Sequence, residues 1–457
     1  VLSGSQITLP PELAGASRQF TFGRARIEPG GEVVLPYVLG NGIDLSERIT
    51  IPLAAPLSDE RIAELMPLVD LLHRVAGVSY YKAAPAERLV FEADPPGPAA
   101  SALITALYSE GLGEFAFVND LPELPRPAFE SAPVEGLAGD PPAPDANGPS
   151  LVCIGGGKDS LVALAAAQKA GRPVTLFSVG KAGPIAATAE VSGAPHLVAT
   201  RRLDPRLFEL NELGALNGHV PVTAIVSLIA ALTAAANGFG RVIMANERSA
   251  SVGNTARYGI DVNHQFSKGE RCEQLLRDAL GEATAGVDYF SILRGASELL
   301  IARAFAKMTA YHPVFTSCNA VFRIDESRRA GGWCGECPKC RFVFLVLAPF
   351  IERAELTAIF GRDLLDDDAW YGEFARLAEV DGFKPFECVG EASEALAAFA
   401  LLAADPEWSQ AAVVRRFAEQ VLGGRAEPPD PARELTWRAA PAIPPEFEAA
   451  VREVLGA

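Results

Sequence analysis

The stretch Leu151-Val152-Cys153-Ile154-Gly155-Gly156-Gly157-Lys158-Asp159-Ser160 constrains this chain more than any other. A short apolar run ends in three glycines, and Asp159-Ser160 then opens an Ala/Leu-rich segment, Leu161 to Ala170, that reads as a helix. Strand, glycine loop and helix start in that order make an anion cradle. Successive backbone N–H groups and the positive end of the helix dipole converge where a phosphate can sit. Glycine is required because a Cβ blocks close approach and because the turn calls for positive φ.

Two familiar phosphate loops are excluded. A Walker A loop needs Ser or Thr after its lysine, and Lys158 is followed by Asp159. The dinucleotide fingerprint needs a third glycine where Ser160 stands. The remaining pattern, Gly156-Gly157-Lys158-Asp159-Ser160, resembles the loop of the ATP pyrophosphatase (PP-loop) superfamily. That resemblance implies cleavage of ATP to AMP and pyrophosphate, usually by adenylation of a substrate oxygen. The plainer alternative is a Gly-rich turn between a strand and a helix.

From residue 150 onward, strand patterns at 151–154, 174–179, 196–200, 241–246 and 288–292 alternate with helical ones. This α/β pattern implies a parallel sheet wrapped by helices, with ligands at the carboxyl ends of its strands. Four segments are expected. Residues 1–118 form a β-rich α+β domain suited to substrate binding, with strands near 19–22, 32–35 and 48–51. A Gly30-Gly31 hairpin turn joins the first two of these, and Ser58 caps a helix running to Val75. Residues 119–149, with Asp140-Pro141-Pro142-Ala143-Pro144-Asp145, read as an exposed linker. Residues 150–362 form the ATP-binding domain, and 363–457 a mostly helical region.

Length and charge narrow the class. The 457 residues have room for two or three domains, and 49% apolar with 21% charged residues fits a soluble globular protein. A net charge of −17 argues against a nucleic-acid partner, which needs clustered Lys and Arg. Val1-Leu2-Ser3-Gly4-Ser5 does not read as a signal peptide, and Val220–Ala236 reads as a buried helix rather than a membrane span, so a cytoplasmic protein is expected.

Cysteine carries the second signal. Cys334, Cys337 and Cys340 lie in Cys-Gly-Glu-Cys-Pro-Lys-Cys, with Cys318 fifteen intervening residues upstream of the first. Four thiolates at such spacing suit a structural, tetrahedral Zn²⁺ that clamps the loop 318–340 onto the following helix. An iron–sulfur cluster is the competing reading.

Around Ser317-Cys318 and Cys334–Cys340 the chain resembles the zinc-bearing PP-loop enzymes that make the deazaguanine nitrile of queuosine biosynthesis. Those enzymes are shorter, and the likeness covers about half of the chain. A broader resemblance, from about residue 19 to 390, is to the ATP-dependent UDP-N-acetylmuramoyl-L-alanyl-L-glutamate epimerases. It rests on Ser79-Tyr80-Tyr81-Lys82, the Gly155–Ser160 loop, Asn217-Gly218-His219-Val220-Pro221 and Asn246-Glu247-Arg248-Ser249. Asp261-Val262-Asn263-His264-Gln265, the cysteine set and Lys384-Pro385-Phe386-Glu387-Cys388-Val389-Gly390 complete it.

The resemblance implies a PP-loop (adenine nucleotide α-hydrolase-like) domain and inversion of a terminal glutamate from L to D with ATP and Mg²⁺. Adenylation removes the carboxylate charge that would otherwise sit beside the carbanion. On this reading Gly155, Gly156 and Gly157 hold the phosphates, Lys158 adds charge, Ser160 a hydroxyl, and Asp159 holds Mg²⁺ or caps the helix. Ser178 and Asn246 border adenine and ribose. Tyr81, Lys82, Arg248 and Arg257 are candidates for the substrate's anionic groups, and His219, His264, Cys388 and Asp261 for proton carriers. A PP-loop enzyme acting on a deazapurine or tRNA, and a non-catalytic nucleotide-binding module, remain as alternatives.

Overall fold

The alternating patterns after residue 150 fold as five parallel strands, and the computed structural model, which describes residues 9–133, 148–283, 286–323 and 329–457, adds seven more. The strands are β1 (Phe20–Phe22), β2 (Arg26–Ile27), β3 (Glu32–Leu39), β4 (Asp44–Thr50), β5 (Leu89–Phe91) and β6 (Ser150–Cys153). They continue as β7 (Val174–Val179), β8 (His196–Arg202), β9 (Arg241–Met244), β10 (Thr255–Arg257), β11 (Ile260–Val262) and β12 (Asp288–Ser291).

The protein is a mixed α/β structure with a largely parallel central sheet. Its parallel part runs β12-β9-β6-β7-β8. The chain steps outward from β6 to β7 and β8, then returns to lay β9 and β12 on the other side. The direction of winding therefore reverses between β6 and β9, and the crevice beyond their carboxyl ends is where such sheets bind ligands. The glycine loop leaves β6 at that point, and Asn246 and Glu247 leave β9 beside it.

The N-terminal strands extend this same sheet. β4 pairs antiparallel with β8 through Arg48↔Arg202, Ile49↔Arg201 and Thr50↔Thr200, and β3, β1 and β5 follow, giving ten strands with β2. At the seam, fully buried Glu47 takes two hydrogen bonds from Arg201, at 2.7 and 3.0 Å, so the buried carboxylate is paired. The Gly30-Gly31 turn is real but differs from expectation: it closes β2 onto β3, because Arg26–Ile27 is extended and pairs with Val33–Val34.

Helices cover both faces of the sheet. Ser58 Oγ accepts the Arg61 N–H at 3.2 Å and caps the helix Asp59–Ala76, whose Leu65, Leu68, Val69, Leu72 and Val75 are buried at helical spacing. This helix packs with Val222–Asn237, the former Val220–Ala236 stretch, which ends at Gly238 in the left-handed conformation. Among the described residues no helix is long and apolar enough to cross a membrane. On the other face Lys158–Lys169 packs against Glu298–Phe305 and the C-terminal helix Pro445–Leu455. Residues 119–133 lie along the N-terminal strands, with Leu121 and Leu124 buried and Ala128 bonded to Glu87 and Leu89. The Asp140–Asp145 stretch lies outside the described residues.

Candidate active site

The glycine loop takes its shape from contacts that only glycine permits. Gly156 has φ +80°, and a Cβ there would come within 3.1 Å of the backbone of Pro184 and Ile185. A Cβ on Gly157 would stand 3.1 Å from the Ser317 Cβ. Ser160 Oγ accepts the Gly155 N–H at 3.3 Å and donates to the Gly157 carbonyl at 3.0 Å, so its hydroxyl organises the loop. Lys158 turns inward: its ammonium is buried in ion pairs with Asp159 and Glu298. Asp159 lines a cavity of about 330 Å³ together with Gly155, Gly157, Asn246, Glu247 and Ser317.

Cys388 and Lys268 line the same cavity. The Lys268 ammonium donates to Cys388 Sγ at 3.3 Å, and the His264 ring stands close enough to that sulfur to shift its titration. His264 Nδ1 in turn meets Glu114 Oε2 at 2.5 Å, and the His219 ring lies 4.2 Å from that of His264, centre to centre. Burial pushes the Cys388 thiol up, but the Lys268 cation and the His264 hydrogen bond outweigh it and bring the thiol down to about 6. Burial works to lower His264, yet its bonds to Cys388 and Glu114 raise it to about 9. Burial, then the neighbouring His264 and Lys268 cations, drop His219 to about 3. At neutral pH the group is a thiolate facing an imidazolium and an ammonium, with His219 neutral.

This arrangement sets the pH dependence of thiol reactivity, since the thiolate is the nucleophile. Alkylation of Cys388 by iodoacetamide, followed by peptide mass spectrometry, should fall off as pH drops through about 6 rather than through the usual thiol range. Lys268→Met should move that midpoint upward; an unmoved midpoint would mean that the ammonium does not hold the thiolate.

The four cysteines converge as expected. The sulfurs of Cys318, Cys334, Cys337 and Cys340 all lie within 4.8 Å of one another, with 3.4 Å for Cys337–Cys340 and 3.7 Å for Cys334–Cys340. Thiolates ~2.3 Å from one tetrahedral ion stand roughly 3.8 Å apart, so the set fits a single ion of the zinc type. Cys337 caps the helix Pro338–Leu347, which carries Cys340 in its first turn. The cluster also reaches the glycine loop: Thr316, two residues before Cys318, donates its N–H to the Gly156 carbonyl at 3.0 Å.

Other expected residues divide by position. Lys82 donates to Asn217 Oδ1 at 2.5 Å and the Gly218 carbonyl at 3.1 Å, which sets it beside His219; burial, then Arg201, lowers it to about 8. Asn246 lines the cavity and donates to Ser291 Oγ at 3.0 Å. Ser178 does not line it; its hydroxyl bonds Gly180 and His196. Tyr81 is fully buried, with its hydroxyl on the Ala86 carbonyl. Arg248 pairs with Glu434, Arg257 pairs with exposed Asp120, and Asp261 is exposed on β11.

Sequence reasoning missed Lys268, Glu114, Glu298 and Lys339, the last of which lines the cavity and stands 3.8 Å from Glu298. Lys268 follows the Asn263-His264-Gln265 motif by three residues and Lys339 sits inside the cysteine motif, so proximity was an available signal. Glu114 and Glu298 had none.

Comparison with known proteins covers almost all of this architecture. The family described as the MurL N-terminal domain matches residues 12–292, and the MurL C-terminal domain matches 314–430. The chain is 48% identical over 402 residues to a UDP-N-acetyl-alpha-D-muramoyl-L-alanyl-L-glutamate epimerase of Salinispora tropica, covering 86% of each chain. It is 47% identical to the epimerase of that name from a Micromonospora species, over 90% of this chain and 93% of the other. Against the one from Xanthomonas oryzae pv. oryzae it is 43% identical, over 86% and 87%.

Proposed function

We propose that this chain, which belongs to the MurL family of epimerases, inverts the terminal L-glutamate of UDP-N-acetylmuramoyl-L-alanyl-L-glutamate to D-glutamate through an acyl-adenylate. ATP is the co-substrate, AMP and pyrophosphate are released, and the product is a peptidoglycan precursor made in the cytoplasm. The observation that carries the reading is one cavity that joins the anion cradle at Gly155–Ser160 to the Cys388–Lys268 pair. A PP-loop fold would place the phosphates at the first end and the reacting carbonyl at the second.

Each group then has a task. The N–H groups of Gly156 and Gly157 and the helix dipole hold phosphate, while the Gly155 N–H is bonded to Ser160 Oγ. Asp159, facing the cavity, is suited to Mg²⁺, which would neutralise phosphate charge. Lys82 and Lys268 offer positive charge to the substrate's carboxylates, and Lys268 to an enolate oxygen. The His264–His219 pair is suited to proton movement, His264 being the cationic donor and His219 the neutral acceptor. The cysteine set would hold zinc and brace the loop.

The test is a reaction in D₂O with ATP, Mg²⁺ and this substrate, following AMP and deuterium at the glutamate α-carbon. AMP with label and D-glutamate is expected. AMP without label would mean a ligase-like use of the carboxylate, and label without AMP would remove the adenylate. Asp159→Asn should lower AMP turnover at least about 100-fold, and full turnover in that variant would sink the assignment of the loop.

A further inference from the structure

Proton transfer alone does not account for the surroundings of Cys388. Two cations flank this sulfur and favour the thiolate, which makes it a weaker base toward a C–H bond but keeps it a nucleophile. Lys268 lies 3.3 Å from it, His264 stands beside it, and Glu114 holds His264 Nδ1 at 2.5 Å. Cysteine, histidine and carboxylate in sequence form the arrangement of an activated acyl nucleophile, with the base oriented by a third group. The sulfur also opens onto the cavity that holds the glycine loop, where an acyl group leaving a phosphate would be presented.

We propose that Cys388 is a covalent catalyst that takes the glutamyl group from the acyl-adenylate as a thioester, on which inversion at the α-carbon then occurs. This rests on the adenylate reading above. The thiolate attacks the carbonyl carbon, a C–S bond forms, and the C–O bond to phosphate breaks with its electron pair leaving on AMP. A thioester keeps the α-proton acidic, because sulfur donates poorly into the carbonyl. Removal of that proton gives an enolate facing the Lys268 ammonium, and return of a proton from the opposite side inverts the centre. Water then adds to the carbonyl and the C–S bond breaks, which gives the product carboxylate and the regenerated thiolate and releases two protons.

Acylation also resets the neighbouring base. His264 owes its retained proton to the Cys388 thiolate and to Glu114. Once the sulfur is acylated its charge is gone, and His264 can give up a proton that it held in the free enzyme. The step that activates the substrate thus also readies the histidine for proton exchange.

Three measurements on the full chain with ATP, Mg²⁺ and UDP-N-acetylmuramoyl-L-alanyl-L-glutamate decide the matter. Acid-quenched wild-type enzyme should carry a glutamyl-substrate adduct on the Cys388 peptide that neutral hydroxylamine removes. Cys388→Ala should continue substrate-dependent exchange of labelled pyrophosphate into ATP, which reports adenylation and an intact fold. Its AMP turnover should fall at least about 100-fold, because transfer to sulfur is the step that frees AMP.

Wild-type AMP turnover in Cys388→Ala with epimerisation lost would make Cys388 a proton carrier only and overturn the proposal. So would wild-type label incorporation in that variant. Absence of pyrophosphate exchange and AMP in the wild type would instead remove the adenylate reading, and the thioester with it.

Discussion

Lys158→Met is expected to destabilise the protein by about 3–5 kcal/mol, the usual loss when one partner of a buried ion pair is removed. The Lys158 and Glu298 side chains are each only 1% exposed, and the ammonium between Asp159 and Glu298 is what allows both carboxylates to remain there. Burial, then Asp159, already raises the Glu298 carboxyl above the ordinary range. Without the lysine, Glu298 would hold its proton more firmly still in the folded state than in the unfolded chain. The unfolded state then ionises first as pH rises, so the loss should deepen from the ordinary glutamate range upward and shrink in acid.

Urea unfolding of the variant at two pH values would measure this. Adding Glu298→Leu to Lys158→Met should recover much of the stability, since well-packed apolar groups often replace a buried pair at little cost. A single variant as stable as wild type but deficient in ATP binding would mean that the ammonium swings out to the phosphates, as the loop's composition by itself suggests.

The second large effect is expected at the cysteine set. Cys340→Ala should reduce bound zinc from about one ion per chain to near none by elemental analysis. Stability should fall by several kcal/mol, because metal-binding free energy at a structural site is folding free energy, about 10 kcal/mol or more in isolated zinc fingers. Cys340 is fully buried in the first turn of Pro338–Leu347, and the Thr316 N–H that supports the Gly156 carbonyl belongs to the segment the ion would anchor. The turnover proposed above should therefore fall with the metal, although no cysteine of the set lines the cavity. Iron in place of zinc would change the ion but not this coupling, whereas a metal-free variant with unchanged stability and turnover would make the cluster dispensable.

Parts of the site were legible because their contacts are short-range. Gly156 needs positive φ within its own turn, Ser160 bonds residues three and five positions away, and Cys337 and Cys340 share one helix start. The strand pattern of β6 to β9 and β12 was likewise readable, since apolar runs bounded by turns report parallel strands buried on both faces. The N-terminal boundary was harder to read: antiparallel pairing of β4 with β8 joins segments about 150 residues apart, and alternation in β4 does not name its neighbour. Tyr81 shows the converse: it belongs to a motif read as substrate-facing, and the fold buries its ring and bonds its hydroxyl to the Ala86 carbonyl.

The sequence by itself determined which groups are available: a glycine cradle opening a helix, four thiolates at metal spacing, and the residue types His264 and Cys388. Only the tertiary structure decided what each of them faces. Lys158 meets Glu298 across 140 residues, Lys268 meets Cys388 across 120, and His264 meets Glu114 across 150. The reason is physical. Local spacing fixes contacts within a turn or two, but the charge state of a thiol or an imidazole depends on burial and on the nearest opposite charge. Those neighbours are brought together by the path of the chain around the sheet.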